Sequence, residues 1–251
     1  MPEKDVSPDR VHVWPYLVRL ELIATIIAIA VLLVWSVAID APLEEPANPN
    51  RTPNPSKAPW YFLGFQEVLV YFDPWMAGVA IPSLIIVGLM AIPYLDTNPK
   101  GSGYYTIKER PFAMSIFLFG FLILWVLLII VGVFMRGPGW NFFAPWEAWD
   151  PHKVQALTNV NLWELLGVEQ RSATAGGILG GLTLALYYII PIAGVYRWGR
   201  QKIPTIEQLG MVRYGIVAFL FMTMTLLPIK MILRWTLNIK YLWVWPGVLN
   251  V

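Results

Sequence analysis

An all-α integral membrane protein is the fold class this sequence predicts, with about five transmembrane helices and a proline-rich loop between the first two. Three observations predict it. Of 251 residues, 57% are hydrophobic and 14% charged, against about 25% charged in a soluble domain. Five apolar runs approach or reach the roughly 20 residues that cross a bilayer. Polar stretches rich in proline, asparagine or tryptophan separate them.

The runs come in order. Leu22 to Ile39 and Phe112 to Met135 are uncharged and uninterrupted by proline. Trp75 to Leu95 carries Pro82 and Pro93, and Ser172 to Tyr196 carries Pro191. Neighbouring helices satisfy the carbonyls such prolines free. Tyr214 to Leu233 is the weakest run, because Lys230 lies inside it; so near the end, a lysine is expected to snorkel to the headgroups. The first 19 residues are polar and proline-punctuated, which predicts a retained first span rather than a cleaved leader. Lys and Arg divide ten to eight between the two sides, which favours a cytoplasmic N-terminus.

The low charged fraction and mean hydropathy of +0.57 make a soluble enzyme a poor reading, and a net charge of +2 argues against a nucleic-acid partner. The chain has no cysteine, so it holds no disulfide and no thiolate-bound iron–sulfur cluster. His12 and His152 fall on opposite faces of this topology, so they offer no bis-histidine haem site and no metal site.

Two loops share the outer side. Residues 41 to 74 are rich in proline and asparagine, and residues 136 to 171 contain Trp140, Trp146, Trp149 and Trp163. The tryptophans are read as interfacial anchors. Gly176, Gly177, Gly180 and Gly181 are read as a close helix–helix contact. Glu67 is the one carboxyl in WYFLGFQEVLVYF; as a helix this stretch puts Trp60 and Glu67 on one face. Apolar surroundings disfavour the charged form of a carboxyl, which suits it to accept and release protons. Pairing with a neighbouring Lys or Arg, or pointing to the interface, is the other reading.

The stretch EPANPNRTPNPSKAPWYFLGFQ resembles the loop between the first two helices of the C-terminal half of cytochrome b, and of the separate subunit IV of plastoquinol-oxidising complexes. Glu45, Pro46, Pro49, Thr52 and Pro53 fall in register with it. WPYLVRLELIAT, IPYLDTNP with ERPFA, and LGVEQRSATAGGILG are similar to later family segments in the same order, so the resemblance covers about residues 14 to 197. It divides the chain into a cytoplasmic segment (1–20), a cytochrome b C-terminal-like domain of four spans (21–197), and an extra span with a tail (198–251).

The resemblance implies a split cytochrome b C-terminal subunit of a quinol:cytochrome c (or equivalent acceptor) oxidoreductase, not catalytic alone. The b haems would sit on a haem-bearing N-terminal cytochrome b subunit, and the iron–sulfur cluster on a Rieske protein. A cytochrome c-type subunit or carrier and a dimeric assembly in a prokaryotic cytoplasmic membrane complete the implied setting. It further implies an outer quinol site at Lys57, Pro59, Trp60, Tyr61 and Gln66, and an inner quinone site at Arg19 and Glu21. The family motif is Pro-Glu-Trp-Tyr, whereas this chain has Ala58, Pro59, Trp60 and Tyr61. The family's proton-accepting glutamate is therefore missing, and Glu67 is assigned its role. A membrane anchor of another quinone-linked complex is the alternative.

Overall fold

The computed structural model describes residues 13–40, 46–98, 107–153, 159–168, 173–245 and 249–251. Glu45 and His12 lie outside them. Among the described residues the regular structure is helical apart from one two-residue antiparallel strand pair and two isolated bridges. Five helices are long and apolar enough to cross a membrane: α1 (Val13–Ala38), α3 (Met76–Leu95), α4 (Pro111–Met135), α6 (Ala173–Gly199) and α7 (Pro204–Leu237). Two short helices lie between spans, α2 (Trp60–Val68) and α5 (Leu162–Leu165). The strands are β1 (Val244–Trp245) and β2 (Leu249–Asn250). The chain is an all-α integral membrane protein.

Residues 1–52 and 53–251 form separate compact units. In the first, α1 buries none of its residues within the chain. Arg19 and Glu21 lie exposed in its first turns, and the Glu21 carbonyl accepts the Thr25 hydroxyl.

In the second unit the spans are largely apolar on their surfaces, as expected where lipid is the solvent. Packing between α6 and α7 uses hydroxyls as well as methyl groups. The Tyr187 hydroxyl donates to the Met222 carbonyl at 2.8 Å and pairs with Thr225 at 2.9 Å. Tyr188 pairs with Thr223 at 3.1 Å, and the Tyr214 hydroxyl donates to the Ile192 carbonyl. Such bonds suit a medium that supplies no competing water.

The buried core is concentrated at one end of the spans. Val68, Tyr71, Phe72, Ala77, Leu128, Leu226, Met231, Ile239, Leu242 and Val251 form it. They come from α2 and the turn after it, the start of α3, the second half of α4, the end of α7 and the tail. The fifth span is thus part of the same body as residues 53–197.

Two expectations change here. Of the four glycines only Gly176 meets another helix, through the Trp163 indole of α5; Gly177, Gly180 and Gly181 instead face Leu242 to Val244 of the tail. An extended chain approaches a glycine stripe as closely as a helix does, and the sequence pattern does not separate the two. Lys230, expected to snorkel, is instead fully buried. Its ammonium donates to the Lys240 carbonyl at 2.5 Å and lies 5.2 Å from the centre of the Phe72 ring. After α7 the chain turns back at Asn238 (φ +55°), which brings that carbonyl within reach.

Candidate functional site

The proline-rich loop ends on Pro59, which starts α2: the Phe62 and Leu63 amides donate to the Pro59 carbonyl at 2.8 and 3.0 Å. Proline suits this position because its fixed φ is already near-helical and its missing N–H is not needed. Helix α2 buries Leu63, Gly64, Glu67 and Val68, a spacing that marks one helical face. That face meets α4. The Leu63 side chain lies so close to Gly132 that a Cβ there would come within 2.8 Å of it, and Gly64 accommodates the Trp125 ring.

Gln66 ties the loop back onto the helix. Its Oε1 accepts the Ala58 amide at 2.8 Å, and its Nε2 donates to the Ser56 carbonyl at 2.8 Å. One side chain therefore holds both backbone neighbours of Lys57. The Lys57 ammonium donates to the Val133 carbonyl at 2.6 Å and lies 4.7 Å from the Trp149 ring centre. Partial burial draws its pKa below the usual lysine range, because desolvation disfavours the charged form.

Between this loop, α2 and the start of α3 is a cavity of about 450 Å³, lined by Ser56, Lys57, Ala58, Phe65, Gln66, Leu69, Ala77 and Gly78. That volume lies in the range of small-molecule sites. Of the five outer-site residues named from the sequence, the cavity brings together Lys57 and Gln66. Trp60 and Tyr61 are 68% and 53% exposed, with Pro59 exposed beside them. The buried stripe of α2 stops at Leu63, so Trp60 and Glu67 share a helical azimuth without sharing surroundings.

Glu67 is buried with no exposure, and its environment is polar. Arg136 grips it with two charge-assisted bonds, Nε to Oε2 at 2.9 Å and Nη2 to Oε1 at 2.6 Å. The Tyr71 hydroxyl donates to Oε1 at 3.0 Å, and Arg136 Nη1 donates to the Trp140 carbonyl at 3.1 Å. Burial, then the neighbouring carboxylate, push the Tyr71 phenol well above its ordinary pKa. No local pattern in the sequence singles out Arg136, which lies 69 residues from Glu67. The available signal was a lone carboxyl in an apolar stretch and an arginine abutting a span on the same side.

Next to this pair lies Arg234, which donates to the Asn238 carbonyl at 3.0 Å and to Asn159 Oδ1 at 2.8 Å. Among the described residues, the buried charged groups are Glu67, Arg136, Lys230 and Arg234, one carboxylate against three cations.

The tryptophans of the loop between α4 and α6 have different surroundings. Trp163 is buried against Gly176 and Trp146 is 88% exposed. Trp149 covers Lys57. Trp140 follows Gly139 with both at positive φ, +58° and +66°, and the Gly139 amide donates to Asn54 Oδ1 at 2.6 Å. Lys153 draws the loop together, donating to the Phe142 carbonyl and to Glu147. This ammonium holds the Glu147 carboxyl below the usual range.

Among the described residues, no group of His, Asp or Glu is arranged to hold a metal ion. The His152 side chain is 93% exposed beside Asp150.

No solved structure matches this chain. Residues 46–146 match the family model described as cytochrome b(C-terminal)/b6/petD. The match spans the proline-rich loop from Pro46, α2, α3, α4 and Arg136, the segments that build the cavity and the buried ion pair. Over these residues the chain is similar to the C-terminal part of cytochrome b and to subunit IV-like chains.

Proposed function

We propose that this chain forms part of the outer quinol-oxidation site of a quinol:cytochrome c (or equivalent acceptor) oxidoreductase and supports the coupled proton translocation. The observation that carries the reading is the cavity beside α2, built from the loop with the family-like motif and held by the Gln66 clamp. Haem would come from an N-terminal cytochrome b partner, and a Rieske protein and a cytochrome c-type carrier would take the electron in a dimeric complex. We place the N-terminus on the cytoplasmic side of a prokaryotic inner membrane. Lys57 and Gln66 form the quinol-facing wall. Pro59, Trp60 and Tyr61 lie at its outer edge, on a surface suited to a partner or to the quinol tail.

The Gln66 clamp gives the test. Gln66→Ala removes two hydrogen bonds, each worth about 1 kcal/mol. The KM for quinol in the assembled complex is expected to rise about five- to thirtyfold. Unchanged KM and turnover would remove the cavity from the reaction.

Glu67 is proposed as a proton-accepting carboxylate, a role that requires it to part from Arg136. Arg19 and Glu21 are proposed to line an inner quinone-reducing site. Glu21→Gln is then expected to slow re-oxidation of the partner's b haem after a quinol pulse, and unchanged kinetics would remove that role.

A further inference from the structure

We propose that Lys57 makes the cavity beside α2 select a ligand presenting an anionic or strongly electron-rich ring oxygen, such as a deprotonated quinol or an acidic hydroxyquinone. The inference rests on the reading of that cavity as a quinol site and adds the charge state of what it holds.

The lining carries the argument. Five of its residues, Ala58, Phe65, Leu69, Ala77 and Gly78, offer no polar side chain. Gln66 has its oxygen and an amide hydrogen engaged with the backbone on either side of Lys57. Ser56 contributes a hydroxyl, and Lys57 is the charged residue of the lining. The Lys57 ammonium has three hydrogens to donate. One goes to the Val133 carbonyl, and the Trp149 ring covers another side. A carbonyl dipole and a ring quadrupole steady a cation and leave its net charge in place.

A cation at the wall of a mostly apolar cavity distinguishes ligands by charge more than by shape. A neutral quinone carbonyl gains an ordinary hydrogen bond from it. An oxygen bearing negative charge gains a charge-assisted bond, which is about twice as strong. Two features fix the position of that charge. The Gln66 clamp holds the backbone, and the end of α4 with Trp149 holds the head group.

The test uses the assembled complex and two azido-labelled probes, an alkyl hydroxynaphthoquinone that is anionic at neutral pH and its neutral methoxy analogue. Photolabelling is mapped by peptide, and competition with unlabelled probe measures affinity. The anionic probe is expected to label residues 56–78. Lys57→Met should weaken it about tenfold, change the methoxy analogue less than about twofold, and leave assembly intact. Lys57→Arg should restore preference for the anion. Equal weakening of both probes, or no weakening of either, would overturn the inference and leave the quinol site standing. Labelling of the wild-type complex elsewhere than residues 56–78 would overturn the reading of the cavity itself.

Discussion

Replacing Arg136 by methionine is expected to leave little of this chain in the assembled membrane complex. Glu67 would keep its burial and the Tyr71 bond and lose the guanidinium that answers its charge. Removing one partner of a buried ion pair costs about 3–5 kcal/mol, a large part of the roughly 5–15 kcal/mol that holds a domain folded. Glu67→Gln should be nearly as harmful, because it leaves the buried Arg136 charge with neutral acceptors only, the new amide oxygen and the Trp140 carbonyl. Changing both, Glu67→Gln with Arg136→Gln, leaves two amides that bond without net charge. The double variant should therefore be more stable than either single one, with a coupling of about 0.5–3 kcal/mol. The measurement is the yield and thermal stability of the complex for all four combinations; strictly additive losses would show that the two groups do not act as a pair. The double variant also isolates the proton-accepting role. Quinol turnover at least about a hundredfold lower in an assembled double variant would support it, and wild-type turnover would leave the pair purely architectural.

Gly180→Val is expected to lower the melting temperature of the complex sharply, while Gly194→Val leaves it unchanged. A Cβ at Gly180 would lie 2.8 Å from the Trp243 Cα and closer still to the Leu242 carbonyl oxygen. Both are backbone atoms with no rotamer to escape into. The tail cannot shift cheaply either. The Leu242 and Trp243 amides donate to the Val251 carbonyl oxygen at 2.6 and 3.0 Å, and the Val251 amide donates to Trp243. Leu242 and Val251 are both in the core. Overpacking of this kind costs about 1–3 kcal/mol or more. A Cβ at Gly194 would meet nothing within 4 Å. Equal melting temperatures for the two variants would refute the close approach.

The spans were legible because length and apolar content alone decide them, and Pro82, Pro93 and Pro191 changed nothing. Local spacing also found the short helix after Pro59, with Leu63 and Gly64 between Trp60 and Glu67 on one face; Trp60 is exposed, and Val68 joins the buried face instead. Long-range partners were not legible. Arg136 stands 69 residues from Glu67, and no period or motif joins them. The glycines of α6 reported a close approach without naming what approaches. Lys230 looked like a snorkelling residue, since nothing local shows that the chain returns over it after Asn238. Within the candidate site, the motif resemblance pointed to the stretch from Lys57 to Gln66. Which of its residues face the cavity depends on how far along α2 the contact with α4 extends.

The separation of Glu67 from Arg136 also orders events during synthesis. At about 5–20 residues per second, the ribosome adds Arg136 roughly 3–14 s after Glu67. In that interval the carboxyl has no guanidinium to meet, and Leu63 has no Gly132 to pack against. Helix α2 therefore cannot take its seat until α4 has been inserted. The cavity wall hangs from α2 through Gln66 and from α4 through Lys57, so it closes only once both are in place. A nascent chain arrested just before Arg136 would carry three apolar spans and no finished ion pair.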